Sequence, residues 1–282
     1  MRILLTGADG FTGRHFRTAA LAAGHDVVPL QANLTDRAGL QAEIQAAHPE
    51  AVVHLAAISF VGHADDAAFY AVNTVGSTHL LSALASLPVP PQAVLMASSA
   101  NIYGNCDASP ITESQPPAPV NHYAVSKVAM EHMARTYMDR LPIVMARPFN
   151  YTGPGQGGNF LIPKMVDHFR RRAGQIELGN LHVEREFNDV RMVCEAYLKL
   201  LEHGQPGQTY NVCTGNTYTL SAVMQELGSL TGHGMDIQIN PHFVRPNEVH
   251  RLCGDPSKLL ASTGPLKSCT LRDTLQWMLA SA

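Results

Sequence analysis

Thr6-Gly7-Ala8-Asp9-Gly10-Phe11-Thr12-Gly13 decides the fold of this chain. Its glycines follow directly on Arg2-Ile3-Leu4-Leu5, a short apolar run of strand character, and precede a stretch of helical periodicity. Strand, glycine turn and helix in that order open a βαβ unit able to hold a dinucleotide. The glycines permit a tight turn, close backbone approach to a pyrophosphate, and close packing of helix on sheet. The helix N-terminus offers free N–H groups and its dipole to the phosphates. Gly7, Gly10, Phe11, Thr12 and Gly13 are therefore the first cofactor-binding candidates.

Downstream, short β-rich runs alternate with helical stretches. Strands are expected at Arg2–Thr6, Asp26–Leu30, Ala51–Ala56, Ala93–Ser98 and Ile143–Arg147, and helices at Arg14–Ala23, Leu40–Ala47, Ala68–Ser86 and Tyr123–Asp139. This alternation predicts an α/β fold, a Rossmann-type doubly wound parallel sheet covered on both faces. The unbroken apolar run Ala51-Val52-Val53-His54-Leu55 suits a strand buried on both sides. From Asn150 to Gly158 the chain is full of turn residues, and the rhythm beyond is irregular. A dinucleotide-binding domain is expected over residues 1–150, with part of 183–203 returning to it. A smaller α/β substrate domain is expected mainly over 151–282, set over the carboxyl ends of the strands, where open α/β sheets bind ligands.

Composition removes several classes. The 282 residues are 45% hydrophobic and 15% charged, with a net charge of −3, which argues against disorder and against nucleic acid or an anionic membrane as partner. No apolar run approaches the roughly 18–20 residues that span a bilayer, and the apolar part of the N-terminus is too short for a signal peptide. Five scattered cysteines contain no C-x-x-C pair, and none of the 14 histidines forms the i, i+4 zinc pattern, so neither a disulfide framework nor a metal site is expected. A reducing cytoplasm is the simple inference.

Tyr123-Ala-Val-Ser-Lys127 places a phenol and an ammonium one turn apart on one helical face. A neighbouring ammonium favours the phenolate, so Lys127 is expected to lower the Tyr123 pKa. Tyr-x-x-x-Lys also arises by chance in helices. With a hydroxyl from Ser99, however, the set suits hydride transfer at a carbon bearing a hydroxyl or keto group. For the cofactor, NAD would call for an acidic residue at the end of the second strand. Leu30 and Gln31 stand there, and Asp26 lies too early. NADP(H) is therefore expected, with Arg14 or Arg37 on its extra phosphate, and NAD(H) stays open.

The chain resembles the extended short-chain dehydrogenases/reductases of the nucleotide-sugar branch. The resemblance rests on the glycine turn, His54-Leu55-Ala56-Ala57, Asn73 in V-N-T-V-G-S-T, Ser98-Ser99, Tyr123-x-x-x-Lys127 and Arg147-Pro148-Phe149-Asn150. It implies Ser99, Tyr123 and Lys127 as the catalytic triad, and Leu55, Ala56, Ala57, Asn73, Tyr123 and Lys127 at the cofactor. R-P-F-N-Y-T-G-P-G-Q from Arg147, R-E-F-N-D-V-R from Arg185 and R-P-N-E-V-H-R from Arg245 resemble the GDP-mannose 4,6-dehydratases and, more closely, the GDP-6-deoxy-4-keto-mannose reductases. That likeness implies Asn150 near the sugar or pyrophosphate, Arg185 and Arg245 on the phosphates, Glu248 on the nucleoside ribose and Ser59 on the sugar. A guanidinium fork suits phosphate oxygens, and a carboxylate suits a vicinal diol.

Dehydratases of this group carry an acid and a base just after the catalytic Ser or Thr. Here Ala100 and Asn101 stand there, and neither can do that work. Glu113 and Asp107 lie nearby in sequence as possible substitutes. The expected reaction is thus reduction of a 4-keto GDP-sugar, with a nucleotide-sugar 4-epimerase as the alternative and a GDP-mannose 4,6-dehydratase after it. A non-catalytic binding protein on the same fold is a further rival. The resemblance also implies a homodimer through helices near 68–86 and 123–139.

Overall fold

Ile3 and Leu5 point to one side of the first strand and Leu4 to the other, and all three are wholly buried. That alternation, repeated along neighbouring strands, creates two apolar faces that helices must cover. The computed structural model describes residues 1–243 and 250–281. In chain order the first half runs β1 (Arg2–Thr6), α1 (Phe11–Ala22), β2 (Asp26–Pro29), α2 (Arg37–Ala47), β3 (Ala51–His54), α3 (Asp66–Phe69), a π-helical segment (Tyr70–Gly76), α4 (Ser77–Ala85), β4 (Ala93–Ala97), a 3₁₀ turn (Ala100–Tyr103), α5 (His122–Arg135) and β5 (Ile143–Pro148).

The second half runs β6 (Tyr151–Thr152), α6 (Leu161–Arg170), β7 (Gln175–Leu178), β8 (Glu184–Arg185), β9 (Asn188–Asp189), α7 (Val190–His203), β10 (Thr209–Val212), β11 (Tyr218–Thr219), α8 (Leu220–Thr231), β12 (Asp236–Ile239), β13 (Arg251–Leu252), α9 (Ser257–Thr263) and α10 (Leu271–Ala280). Six strands form one parallel sheet in the order β10-β5-β4-β3-β1-β2. The order reverses between β1 and β3, which opens a ligand crevice at their carboxyl ends.

One face of the sheet packs Ile3, Leu5, Val53 and Leu95 against Phe16 and Ala20 of α1 and Val193, Tyr197 and Leu200 of α7. The other packs Leu4, Val52, Val94 and Met96 against Leu40, Ile44, Leu80, Leu84, Met130 and Ala134. A separate cluster of Ile162, Met165, Phe169, Val223, Leu227 and Leu275 joins α6, α8 and α10. While α7 packs on a face of the large sheet, strand β10, beyond the 183–203 segment expected to return, joins the sheet itself. The helix expected without interruption over Ala68–Ser86 is divided by the π-helical segment. Single-turn π insertions of this kind recur beside functional sites. No helix among the described residues is long and apolar enough to cross a membrane.

Candidate active site

The glycine turn has room for nothing larger. Gly7 adopts φ +69°, and a Cβ there would lie 2.8 Å from the Ala56 amide nitrogen. A Cβ on Gly13 would lie 2.0 Å from the Gly7 carbonyl oxygen. No side chain caps α1 at Gly10, so its first-turn N–H groups stay open to an anion. These features fit a dinucleotide pyrophosphate.

Beneath the turn runs a hydrogen-bond chain whose proton directions can be read. Thr6 Oγ1 accepts from the Leu55 and Ala56 amides, so its own proton goes to His54 Nδ1 at 2.7 Å. Ser77 Oγ gives its proton to the Asn73 carbonyl, so it accepts from His54 Nε2 at 2.7 Å. His54 is thereby the neutral Nε2–H tautomer, and burial together with the Lys127 charge pushes its pKa down to about 3. The chain fixes the Leu55 and Ala56 backbone facing the crevice. Asn73, expected at the cofactor, is wholly buried: its amide bonds both backbone groups of Ile58 and the Ser126 hydroxyl, and it clamps the 55–58 segment to α5.

Ser99 leaves the carboxyl end of β4 and caps the 3₁₀ turn, accepting from the Asn101 amide. Tyr123 sits in the first turn of α5, whose N-cap Asn121 accepts from Ala124. The two meet: a hydrogen bond with Ser99 pulls the Tyr123 pKa down, while burial pushes it up and prevails. Lys127 donates to the Ala97 carbonyl at 2.8 Å. The expected lowering of the phenol by Lys127 is therefore not seen. Both groups are buried, the ammonium is directed at Ala97, and loss of hydration penalises the phenolate more than any neighbour favours it. Burial brings Lys127 itself down to about 8, opposed by Glu131.

The residues expected at the substrate are spread over both halves of the chain. The Asn150 side chain is exposed, and its carbonyl accepts from the Asn188 amide. Arg185 is half-buried on β8 and donates to the Glu184 and His250 carbonyls. Ser59 is exposed on the loop after β3. Arg245 and Glu248 lie outside the described residues. Tyr151 closes over the glycine turn, its hydroxyl 2.8 Å from Thr12 Oγ1 and its ring stacked on Phe11. Ala100 is buried and Asn101 half-buried beside Ser99. Glu113 binds the Asn211 amide, and Asp107 is exposed.

Two carboxylates were not singled out from the sequence. Glu43 of α2 reaches the end of β2 and accepts from the Gln31 and Ala32 amides at 2.7 and 2.6 Å. A carboxylate thus occupies the region where the sequence position offered none, with both oxygens engaged. Of the two arginines expected near there, Arg14 instead donates to the Asp9 and Gly155 carbonyls, and Arg37 opens α2 at an exposed position. Glu186 is buried and accepts from the Thr214, Gly215 and Gly254 amides, the Asn188 amide group and the Thr214 hydroxyl.

Fold and crevice define a dinucleotide-binding protein of the Rossmann class. A family model described as GDP-mannose 4,6 dehydratase matches residues 28–278, and the chain belongs to that family. It is 38% identical to GDP-6-deoxy-D-talose 4-dehydrogenase of Aggregatibacter actinomycetemcomitans, over 94% of this chain and 92% of that one. It is 33% identical to GDP-6-deoxy-D-mannose reductase of Pseudomonas aeruginosa, over 99% and 96%. Among solved structures, it is similar to RMD from Pseudomonas aeruginosa complexed with NADPH (TM-score 0.93, 32% identity, 99% and 97% covered). It is also similar to a candidate epimerase from Burkholderia cenocepacia J2315 (TM-score 0.94, 46% identity, 99% and 96% covered).

Proposed function

We propose that this chain reduces the 4-keto group of GDP-4-keto-6-deoxy-mannose, using NADPH or NADH, to a GDP-6-deoxyhexose. The product is GDP-rhamnose or GDP-6-deoxy-talose according to the face that receives hydride. The carrying observation is the pairing of a buried, protonated Tyr123 with Ser99 above a dinucleotide turn, next to Ala100 and Asn101, which offer no acid or base for dehydration. The names of the 38% and 33% identical relatives support the same substrate class.

When bound, the reduced nicotinamide supplies the hydride. Tyr123, held as the neutral phenol by burial, gives its proton to the oxygen at C-4. Ser99 steadies that oxygen by a hydrogen bond. Lys127, cationic below about pH 8 and anchored on the Ala97 carbonyl, would hold the nicotinamide ribose beside Tyr123. Asn150, Arg185, Arg245, Glu248 and Ser59 are proposed to hold the GDP-sugar, and Gly7 to Gly13 with Leu55 to Ala57 the dinucleotide. The test is to supply the keto sugar with either nicotinamide and follow its absorbance; no consumption with either would overturn the reading.

A 4-epimerase draws support from the likeness to the Burkholderia protein. It would hold NAD tightly and show no net redox change, so stoichiometric NAD on the purified protein would favour it. A homodimer through α3–α4 and α5 is proposed on the exposed Val75 and Val125 of those segments. All five cysteines are free, which supports a reducing cytoplasm as location.

A further inference from the structure

Arg147 is the least expected charge in the molecule: a guanidinium only 3% exposed near the carboxyl end of β5, with no place in the proposed chemistry. All three of its nitrogens are used. Nε and one terminal nitrogen take both oxygens of Glu131, at 2.9 and 2.7 Å. The other donates to the Tyr103 hydroxyl at 2.9 Å, and the guanidinium carbon stands 5.1 Å from the centre of the Tyr103 ring. Tyr103 passes its own proton to Asn211 on the neighbouring strand β10, at 2.7 Å.

The positions of those partners give the arrangement its meaning. Glu131 lies one helical turn beyond Lys127 on α5, the helix that carries Tyr123. Tyr103 ends the 3₁₀ turn that Ser99 caps. One planar cation therefore ties the segment carrying Ser99 to the helix carrying Tyr123 and Lys127. A buried ion pair is a poor device for stability, because apolar residues of similar volume serve as well or better. A planar fork engaging two segments at once is a good device for geometry.

We propose that Arg147 is a positioning residue for the reduction, setting the separation of the Ser99 hydroxyl and the Tyr123 phenol through Glu131 and Tyr103. The inference rests on the catalytic reading given above. The test compares Arg147→Met, Arg147→Lys and the double variant Glu131→Leu/Arg147→Met with the wild-type protein. Arg147→Met leaves the buried Glu131 carboxylate with only the distant, partly exposed Arg135 as a cation, 3.9 Å away, and should lower the melting temperature. The double variant removes both charges and should melt close to wild type. It should keep its NADPH Kd and keto-sugar KM, yet lose about 30- to 100-fold in kcat, the scale of a misplacement near 1 Å. Arg147→Lys can pair with Glu131 but cannot span to Tyr103, and should lose kcat with melting intact.

A double variant with wild-type kcat overturns the proposal, as does one in which KM and Kd rise and the melting temperature drops together with kcat. If the wild-type protein itself does not turn over the keto sugar, the catalytic reading fails. The proposal is then decided by crystal structures, in which the Ser99–Tyr123 separation lengthens in the double variant or, against the proposal, stays as in wild type.

Discussion

Two buried carboxylates, one in each half of the chain, are satisfied in opposite ways. Glu131, on the wall that carries Ser99, Tyr123 and Lys127, is answered by the side chain of Arg147. Glu186, on the wall proposed for the sugar nucleotide, is answered mainly by backbone amides of Thr214, Gly215 and Gly254. No cation is among the partners described for it. A side-chain network fixes the distance between two helical segments. A carboxylate that gathers amides fixes the paths of loops, here those after β10 and β13. The first wall should therefore fail in rate when altered, and the second in binding.

The largest effect expected is Tyr123→Phe, which removes the proton donor and should lower kcat by about 10²- to 10⁴-fold, with NADPH binding by fluorescence largely unchanged. Loss of NADPH binding instead would erase the division between the walls. Glu186→Gln comes next. One of its oxygens accepts from Asn188, Thr214 and Gly215, the other from Gly254, so the new amide group must present its hydrogens to the Gly254 N–H. An unsatisfied buried group of this kind costs about 1–3 kcal/mol. Steady-state kinetics should show KM for the sugar nucleotide rising about tenfold with kcat nearly constant, on the same scale.

A pH profile sharpens the catalytic side. Tyr123 is raised and stays protonated through neutral pH, so it imposes no loss there. Lys127 sits at about 8 and gives up its proton as pH rises through that value. The rate of reduction should fall above about pH 8 while the wild-type fold persists. The sign for stability is opposite: a lysine depressed in the folded state costs stability while charged, so its contribution improves between pH 8 and the unfolded value near 10.5. Denaturant titrations at pH 7.5 and about 9.5 would separate the two trends. The smallest effect expected is Thr12→Val, which removes the bond to Tyr151 that joins the two walls. It should weaken NADPH about 2- to 10-fold, as one neutral hydrogen bond would, with KM for the sugar nearly unchanged.

Much of the catalytic wall could be read from the chain, because its logic is local. Gly7, Gly10 and Gly13 declare a turn, Tyr123 and Lys127 share a helical face by spacing alone, and Ser99 follows directly on an apolar strand. The other wall is legible only in part, because its contacts join distant segments. Thr209–Val212 is too short and ordinary to announce that it completes the large sheet beside β5. Nothing in R-E-F-N-D-V-R tells which amides Glu186 will meet, nor does a position on α2 reveal that Glu43 turns back to the end of β2. The effect of the Lys127 ammonium on Tyr123 was misjudged for a related reason: sequence gives residue type and face, while its hydrogen bond to Ala97 is set by packing.

The central claim is hydride delivery to C-4 of a GDP-linked keto sugar, and isotopic transfer tests it most directly. Nicotinamide cofactor deuterated at the transferring carbon would be supplied with GDP-4-keto-6-deoxy-mannose, and the product examined by proton NMR and mass spectrometry. The account predicts one deuterium at C-4 of a GDP-6-deoxyhexose, with one cofactor oxidised per sugar, and the C-4 configuration names the product. Conversion of a GDP-sugar with no deuterium gained and no cofactor consumed would contradict it.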